Sequence, residues 1–229
     1  PFHLEAHVAR LFTSAALIAL DMPWTREQVV GIVHETMARN RHLPEAYVRI
    51  VVTGGDAAGF LMPEDRPRLL VLVTPVPPIP DHYYTEGVRF ISVAEGRFMP
   101  QSKTINYIPA IVALRQARAQ GALDAIYVAE DGRVLEGTTN NLFAFIGETL
   151  VTPEEGVLPG ITREVVLQLA RDVFDVQVRD ITLNEVYAAD EVFMTSSTKE
   201  ILPIVQLDDR SIGDGKPGKR TQRLHAIFK

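Results

Sequence analysis

Lys103 lies in a part of the sequence that is almost free of charge. Ser102 precedes it, and the uncharged residues 104–107 follow it. Desolvation favours the neutral amine of a lysine over its ammonium form, and the neutral amine is the form that attacks a carbonyl to give a Schiff base. An ordinary surface lysine, with its stem lying along the protein, is the alternative. The stretch therefore makes Lys103 a candidate nucleophile, and the surface lysine is the commoner case.

Three other positions could bind an anion. Residues 160–163 immediately precede a strongly periodic helix, whose unpaired first-turn N–H groups and dipole attract a phosphate or carboxylate. Residues 196–198 offer hydroxyls and successive amides after a buried strand, and Arg10 lies beside an apolar helical stripe near His7. A simple helix cap, ordinary turn residues and a snorkelling arginine are the respective alternatives. Together the three positions favour a phosphorylated ligand.

Glu136 is the acid whose position suggests a pocket. It ends a predicted strand and is followed by the turn-forming residues 137–141, although a solvated turn glutamate is the alternative. The sequence contains no Cys, its six His show no metal-ligand spacing, and no Ser-His-Asp order, G-x-G-x-x-G or P-loop occurs. Thiolate, metal-dependent, dinucleotide-binding and nucleotide-hydrolysing classes therefore have no local support.

The composition is that of an ordinary globular protein. The 229 residues are 46% hydrophobic and 23% charged, with a formal net charge of -6 and scattered basic residues. Nucleic-acid binding therefore has no electrostatic footprint. No apolar run approaches the roughly 20 residues that a membrane-spanning helix needs, and no secretory signal opens the sequence. We expect a soluble, cytoplasmic protein that binds neither nucleic acid nor membrane.

A cluster of four prolines within residues 75–80 divides the predicted elements into two groups. Before it, we expect two helices: the first has helical spacing from Leu4 onward, and the second begins at a capping-box signal at Thr25 and Gln28. Strands follow at 46–52 and 68–73, the second one buried. These elements predict a small α+β domain. After it we expect a helix opened by Pro109, a second one near residue 165, and strands at 88–93, 125–129, 133–136, 142–146, 149–152 and 191–194, the last strand. The expected domains are residues 1–74 and 82–229, joined by a linker at 75–81.

In this order the segments resemble a known family, the fold-type IV pyridoxal-phosphate enzymes, or class IV aminotransferases. The matching segments are His7 to Leu11 with Ser14-Ala15, Tyr47-Val48-Arg49, and residues 102–107, 135–143, 158–163 and 190–201. Family members usually begin a few dozen residues before the first of these segments, so we expect the small domain to lack its leading segment. The resemblance implies a two-domain α+β or α/β fold with a small N-terminal domain and a larger C-terminal pseudo-barrel domain.

The resemblance also implies that pyridoxal 5'-phosphate is the cofactor. Lys103 would carry it as a Schiff base and shuttle a proton, and Glu136 would pair with the pyridine nitrogen and keep it protonated. Tyr107 would hydrogen-bond the phenolate oxygen. The remaining cofactor-binding residues would be Arg10, Gly160, Ser197, the amides of Ile161 and Thr162, and Leu158, which would pack on the ring.

For the substrate, Tyr47 and Arg49 match the Tyr-x-Arg pair that helps to receive carboxylates in branched-chain aminotransferases. Amides near Ser197 and Thr198 would hold the α-carboxylate. We expect a homodimeric transaminase that moves an amino group between a branched-chain L-amino acid and a 2-oxo acid such as 2-oxoglutarate. D-amino acids and (R)-amines stay open, because residues 54–59 lack an expected Arg-Gly sequence and residues 195–198 resemble D-amino-acid aminotransferases. Aminodeoxychorismate lyase and an inactive fragment of the fold rank lower.

Overall fold

The computed structural model describes residues 1–59 and 61–229, which pack as two units. The first unit comprises Pro1–Pro78 and Ser102–Thr104, and the second comprises Ile79–Gln101 and Ile105–Lys229. The short segment Ser102–Thr104 therefore packs with the first unit, although the chain on both sides of it belongs to the second. The domain limits inferred from the prolines stay a prediction.

Two helices and a two-stranded sheet build the first unit. Helices α1 (Leu4–Leu17) and α2 (Arg26–Ala38) precede strand β1 (Ala46–Thr53), the short hairpin of β2 (Ala57–Ala58) and β3 (Met62–Pro63), and β4 (Arg68–Pro75), which pairs antiparallel with β1. Helix α2 begins at the predicted capping box: the Gln28 amide donates to Thr25 Oγ1 at 3.2 Å, and the Thr25 amide donates to Gln28 Oε1 at 2.7 Å. These two bonds satisfy N–H groups that a helix start leaves unpaired.

The sheet of the first unit packs one face against its helices. Leu69 and Val71 lie in the cluster formed with Val8 and Val33, whereas Leu70 and Leu72 are 44% and 43% exposed. Successive side chains of a strand point to opposite faces, so a strand with helices on one side alone cannot be buried throughout. The prediction of a buried strand at 68–73 is wrong, because the continuous apolar sequence conceals the alternation.

A ten-stranded mixed sheet forms the second unit. Its strands are β5 (Val88–Ala94), β6 (Asp124–Val128), β7 (Arg133–Gly137), β8 (Asn141–Ile146), β9 (Thr149–Thr152), β10 (Asp175–Val178), β11 (Ile181–Thr182), β12 (Glu191–Ser196), β13 (Glu200–Leu207) and β14 (Arg210–Ser211). The order is β10-β9-β8-β12-β13-β5-β6-β7-β11, with β14 beside β13. The helices are α3 (His82–Thr85), α4 (Ile108–Ala119), α5 (Ile161–Arg171), α6 (Leu183–Tyr187) and α7 (Lys219–Phe228).

This sheet is strongly curled, as the connection from β7 to β8 requires. Strands β12, β13, β5 and β6 lie between them in the sheet, which in a flat sheet would separate β7 from β8 by about 24 Å. The chain from Gly137 to Asn141 spans at most about 15 Å. The sheet must therefore bend until the end of β7 meets the start of β8, and Glu136 and Asn141 lie at that meeting point.

Both faces of the central strands are covered. On one face, Phe143 and Phe193 stack with their ring centroids 5.0 Å apart, and they pack with Val166 of α5 and Leu224 of α7. On the other face, residues such as Met194 join a second apolar cluster. This double burial explains why β8 and β12 are apolar without alternation.

The sheet extends beyond the strand predicted to be its last. Strand β12 continues to Ser196, and β13, β14 and α7 follow it. Strand β13 contains Pro203, which cannot donate a ladder hydrogen bond and is unusual in a central strand. Glu200 enters it with φ of 51°. In the described ranges, no helix has the length and apolar character that crossing a bilayer requires.

Candidate active site

One face of α1 carries the predicted anion-binding arginine. His7, Arg10 and Ser14 are three and four residues apart, a spacing that places their side chains on one helix face. Arg10 is half-buried, and its Nη2 lies 3.5 Å from His7 Nδ1. Because a guanidinium can only donate, His7 Nδ1 is the acceptor and carries no proton.

The lysine stretch is attached to the same helix. The Lys103 amide donates to Ser14 Oγ at 3.0 Å, and Ser102 Oγ donates to the Ser14 carbonyl oxygen at 3.1 Å. Both serines are buried, whereas Lys103 is exposed. The expected desolvation of Lys103 is therefore wrong for the chain as it stands, because uncharged sequence neighbours such as Ile105 are themselves exposed.

His7 contributes no positive charge to this face near neutral pH. Burial, followed by the charges of Arg10, His3 and Lys103, lowers the pKa of the His7 imidazole from 6.5 to about 4. Each of these charges disfavours a further proton nearby. The face thus combines a neutral imidazole with two cationic side chains, which suits an anionic ligand.

In the second unit, Glu136 is 4% exposed and its carboxylate is held by three donors. Arg97 Nη1 donates to Oε1 at 3.0 Å, the Leu158 amide donates to Oε2 at 3.0 Å, and Asn141 Nδ2 donates to Oε2 at 3.2 Å. A solvated turn glutamate is therefore excluded. The three donors fix the position and orientation of a buried negative charge.

The Asn141 amide links this carboxylate to the segment before α5. Its Nδ2 also donates to the Leu158 carbonyl oxygen at 2.9 Å, so both of its hydrogens are used. A Cβ atom on Gly160 would overlap Asn141 Oδ1. Glycine at position 160 is therefore required for the close approach that places the helix start beside Glu136.

The N-terminus of α5 has the features of an anion site. Gly160 is its N-cap residue, and no side chain among the described residues caps it. The amides of Ile161 and Thr162 lack intrahelical acceptors, as in every helix start. Thr162 Oγ1 is buried and has no hydrogen-bond partner within residues 1–59 and 61–229. A simple threonine cap is therefore wrong, and the buried hydroxyl and the amides together fit a phosphate group.

The other predicted residues of the second unit are more accessible. Ser197 is exposed and Thr198 half-buried in the turn between β12 and β13, and Tyr107, the residue before α4, is 40% exposed. Leu158 is buried. In the same turn region, Thr195 Oγ1 is buried without a partner in the described part of the chain, so this end of the sheet retains unused hydrogen-bonding capacity.

The predicted substrate pair lies on β1 of the first unit. Tyr47 and Arg49 are two residues apart, on the same face of the strand. The Arg49 guanidinium carbon lies 5.6 Å from the Tyr47 ring centroid, which is a cation–π contact. Tyr47 is half-buried and Arg49 exposed. The predicted residues thus divide between the units: Arg10, Tyr47, Arg49 and Lys103 lie in the first, and Tyr107, Glu136, Leu158, Gly160, Ile161, Thr162, Ser197 and Thr198 lie in the second.

Arg97 was not among the predicted residues, and Ser14 and Asn141 lay in matching segments without a predicted role. Arg97 is 39 residues from its partner Glu136, and Ser14 is 88 and 89 residues from the residues it binds. No local pattern encodes such pairings. The adjacent asparagines at 140 and 141 were a visible signal, because amides are frequent partners of buried carboxylates.

Comparison with known proteins finds consistent similarities. The model for the family described as amino-transferase class IV matches residues 1–207. A Methanocaldococcus jannaschii protein provisionally named a branched-chain-amino-acid aminotransferase is 34% identical, over 100% of this chain and 81% of its own. A Listeria monocytogenes D-alanine aminotransferase is 30% identical, over 99% of this chain and 81% of its own. A crystal structure of a branched-chain amino acid aminotransferase with pyridoxamine 5'-phosphate has a TM-score of 0.92 at 30% identity, covering 99% of this chain and 78% of that one.

We expect the His7 imidazole to titrate with a midpoint of about 4 in the cofactor-free protein. Between this value and 6.5 the unfolded chain binds a proton at His7 that the folded chain does not, so the free energy of unfolding falls as the pH drops through this window. NMR titration of the ring measures the midpoint, and urea unfolding at neutral and acidic pH measures the stability. The His7→Asn variant should lose less stability on acidification. A midpoint near the ordinary histidine value, or equal losses in both proteins, would contradict the prediction.

Proposed function

The chain belongs to the class IV aminotransferase family, as its motifs predicted, and we propose that it uses pyridoxal 5'-phosphate to transfer an amino group between a branched-chain L-amino acid and 2-oxoglutarate. The predicted α+β fold is confirmed by the solved aminotransferase structure that it matches. The observation that carries the proposal is the Glu136 carboxylate, which is buried and held by three donors. A fixed buried anion of this kind is what a protonated pyridine ring needs as its partner.

When bound, pyridoxal phosphate supplies an aldehyde that condenses with amines and a ring that takes up electrons released at the substrate Cα. In the proposal, Glu136 accepts a hydrogen bond from the ring nitrogen and holds the proton there. Arg97 supplies the opposite charge that a buried carboxylate needs. Asn141 and the Leu158 amide restrict the carboxylate to one orientation, which supports catalysis by positioning.

The phosphate group is the ligand that the anion-binding features suit. In the proposal, the amides of Ile161 and Thr162 and the buried Thr162 hydroxyl bind its oxygens, with the positive end of the α5 dipole directed at it. Arg10 and Ser197 supply the remaining donors. Thr162 supports this assignment most strongly, since a buried hydroxyl without a partner is costly unless a ligand pairs with it.

Lys103, Tyr107 and Leu158 are proposed to act on the reactive side of the cofactor. The exposure of Lys103 leaves its amine accessible to an aldehyde. With the cofactor bound, its Nζ atom would hold and return the proton released at the substrate Cα. The Tyr107 hydroxyl donates to the phenolate oxygen, and the buried Leu158 side chain packs on the ring face.

The substrate remains the finer part of the proposal. Tyr47 and Arg49 receive a substrate carboxylate, and amides near Ser197 and Thr198 hold the α-carboxylate. A D-amino acid is the second candidate, which the 30% identity to a D-alanine aminotransferase favours. An (R)-amine stays open, and aminodeoxychorismate lyase activity or an inactive fragment rank below these. A cytoplasmic homodimer is also part of the proposal.

Borohydride reduction of the holoprotein, followed by peptide mapping, is expected to find the cofactor on Lys103. The Lys103→Ala variant should lose the near-ultraviolet to blue absorption of the bound cofactor while staying folded by circular dichroism. Lys216 is exposed and is the matched control, since the Lys216→Ala variant should keep the absorption. A labelled peptide containing a different lysine would show that Lys103 was wrongly assigned.

The Glu136→Gln variant should bind the cofactor but lose at least about 100-fold in kcat, because an amide cannot hold a proton on the ring nitrogen. Stopped-flow measurement of a half-reaction gives the rate, and the absorption spectrum gives the occupancy. Glu148→Gln changes an exposed acid and is the control. Wild-type turnover by the Glu136→Gln variant would be incompatible with the proposed role.

Half-reactions with single amino donors should separate the substrate classes. We expect L-leucine and L-valine to shift the cofactor spectrum faster than D-alanine, D-glutamate or (R)-1-phenylethylamine. Arg49→Met should weaken the apparent affinity for the acidic substrate 2-oxoglutarate more than that for leucine, because it removes a cation from the proposed carboxylate site. A faster reaction with the D-amino acids would replace the first candidate by the second.

A further inference from the structure

Asp124 is a second buried acid near the site, and it has no role in the chemistry described so far. It is 4% exposed at the start of β6. Its Oδ1 accepts hydrogen bonds from the Ala125 amide at 2.7 Å and from Thr138 Oγ1 at 2.6 Å, and its Oδ2 accepts one from Asn140 Nδ2 at 2.9 Å. Burying a carboxylate is costly even when it is hydrogen-bonded. A buried acid that is kept at this cost is expected to have a structural role, and its three bonds show which residues it holds: Ala125, Thr138 and Asn140.

Two of the three donors belong to the turn that joins β7 to β8. Within this turn the Gly137 amide donates to the Asn140 carbonyl oxygen at 2.8 Å, and the Thr138 amide donates to the Ala125 carbonyl oxygen at 3.2 Å. A Cβ atom on Gly137 would overlap the Asn140 side chain. The turn is thus tightly packed, and the Asp124 carboxylate connects both of its polar side chains to β6.

The residues at the two ends of this turn are Glu136 and Asn141. They bond each other at 3.2 Å, and each also binds Leu158, through its amide and its carbonyl oxygen respectively. A shift of the turn would therefore lengthen several of these bonds together. The curl of the sheet adds to this requirement, because the turn is the covalent link between strands that do not pair with each other.

We propose that Asp124 is a positioning residue for the aminotransferase reaction: by holding Thr138 and Asn140, it fixes the turn that presents Glu136 and Asn141. The proposal rests on the role proposed above for Glu136. Asp124 acts through the turn and does not contact the reacting atoms.

The electrostatics of Asp124 agree with this role. Burial raises the pKa of the Asp124 carboxyl. The hydrogen bonds from Thr138 and the Ala125 amide, the charge of Lys199 and the hydrogen bond from Asn140 oppose that shift. The donors that Asp124 holds therefore help to stabilise its charged form. Turn and acid stabilise each other, and losing either one loosens both.

Two substitutions separate positioning from simple loss of stability. Asp124→Ala removes the acceptor of three buried donors, namely the Thr138 hydroxyl, the Asn140 side-chain amide and the Ala125 amide. Asp124→Asn keeps the shape, and Asn140 can turn its amide to accept from it, because Asn140 Oδ1 is buried without a partner in the described part of the chain. Asp208→Ala is the matched control, since Asp208 also ties a loop to the sheet, through the Ser92 amide at 2.7 Å and the Tyr187 hydroxyl at 2.5 Å.

The first measurement is hydrogen exchange at the Leu158 amide of the cofactor-free chain, relative to Val151 in β9. Since this amide donates to Glu136, Asp124→Ala should speed its exchange about tenfold, whereas Asp124→Asn and Asp208→Ala should change it less than about threefold. The second measurement is steady-state kinetics of the holoenzyme. Asp124→Ala should lower kcat about tenfold or more, with KM for the amino donor within about twofold, and Asp124→Asn should restore most of kcat.

An unchanged exchange rate of the Leu158 amide in Asp124→Ala would overturn the proposal. A kcat of Asp124→Asn as low as that of Asp124→Ala would also overturn it, and so would an equal loss of kcat in Asp208→Ala. If Asp124→Ala does not fold, Thr138→Val removes one of the donors, and the expected change is then about threefold in both measurements. Wild-type protein without transamination would refute the proposed function, and the exchange experiment would still decide whether Asp124 fixes Glu136.

Discussion

A buried negative charge needs hydrogen-bond donors around it, and in this chain the buried negative charge on which the site depends is the Glu136 carboxylate. It is met by a guanidinium from Arg97, a main-chain amide from Leu158 and a side-chain amide from Asn141. These donors come from three separate segments, so satisfying one carboxylate fixes the relative positions of all three. The lack of a Cβ at Gly160 follows from the same arrangement, because the Asn141 side chain occupies that space.

The curled sheet brings these segments together. A short turn joins β7 to β8 although four strands lie between them in the sheet, so the site forms where the bent sheet meets itself. The start of α5 follows β9 in the chain, and Gly160, its N-cap residue, lies against the Asn141 side chain. In the first unit, Ser14 has a comparable role. Its carbonyl oxygen accepts from the Ser102 hydroxyl and its own hydroxyl accepts from the Lys103 amide, and these bonds hold that stretch on α1.

Features with a local physical cause could be predicted from the sequence. The capping box of Thr25, the helix opened by Pro109 and the glycine before α5 each depend on neighbouring residues, and each occurs as expected. Features that depend on distant partners could not be predicted in this way. Arg97 has no sequence signal because it lies in the loop after β5 and its partner lies on β7, 39 residues away. Lys103 is exposed despite its uncharged neighbours. The family resemblance supplied the site assignments that local patterns left open.

Asn141 and Leu158 contribute different groups to these hydrogen bonds, and this difference decides which substitutions each position can accept. Asn141 uses both hydrogens of its side-chain amide, whereas Leu158 contributes its main-chain nitrogen and oxygen to the hydrogen bonds. Aspartate at position 141 would place a second acceptor against Glu136. An apolar residue there would remove the donor to the Leu158 carbonyl oxygen and one of the two donors to Glu136 Oε2. A substitution at position 141 therefore removes these bonds, whereas position 158 can carry a different apolar side chain and keep them, because its contribution is made by the main chain.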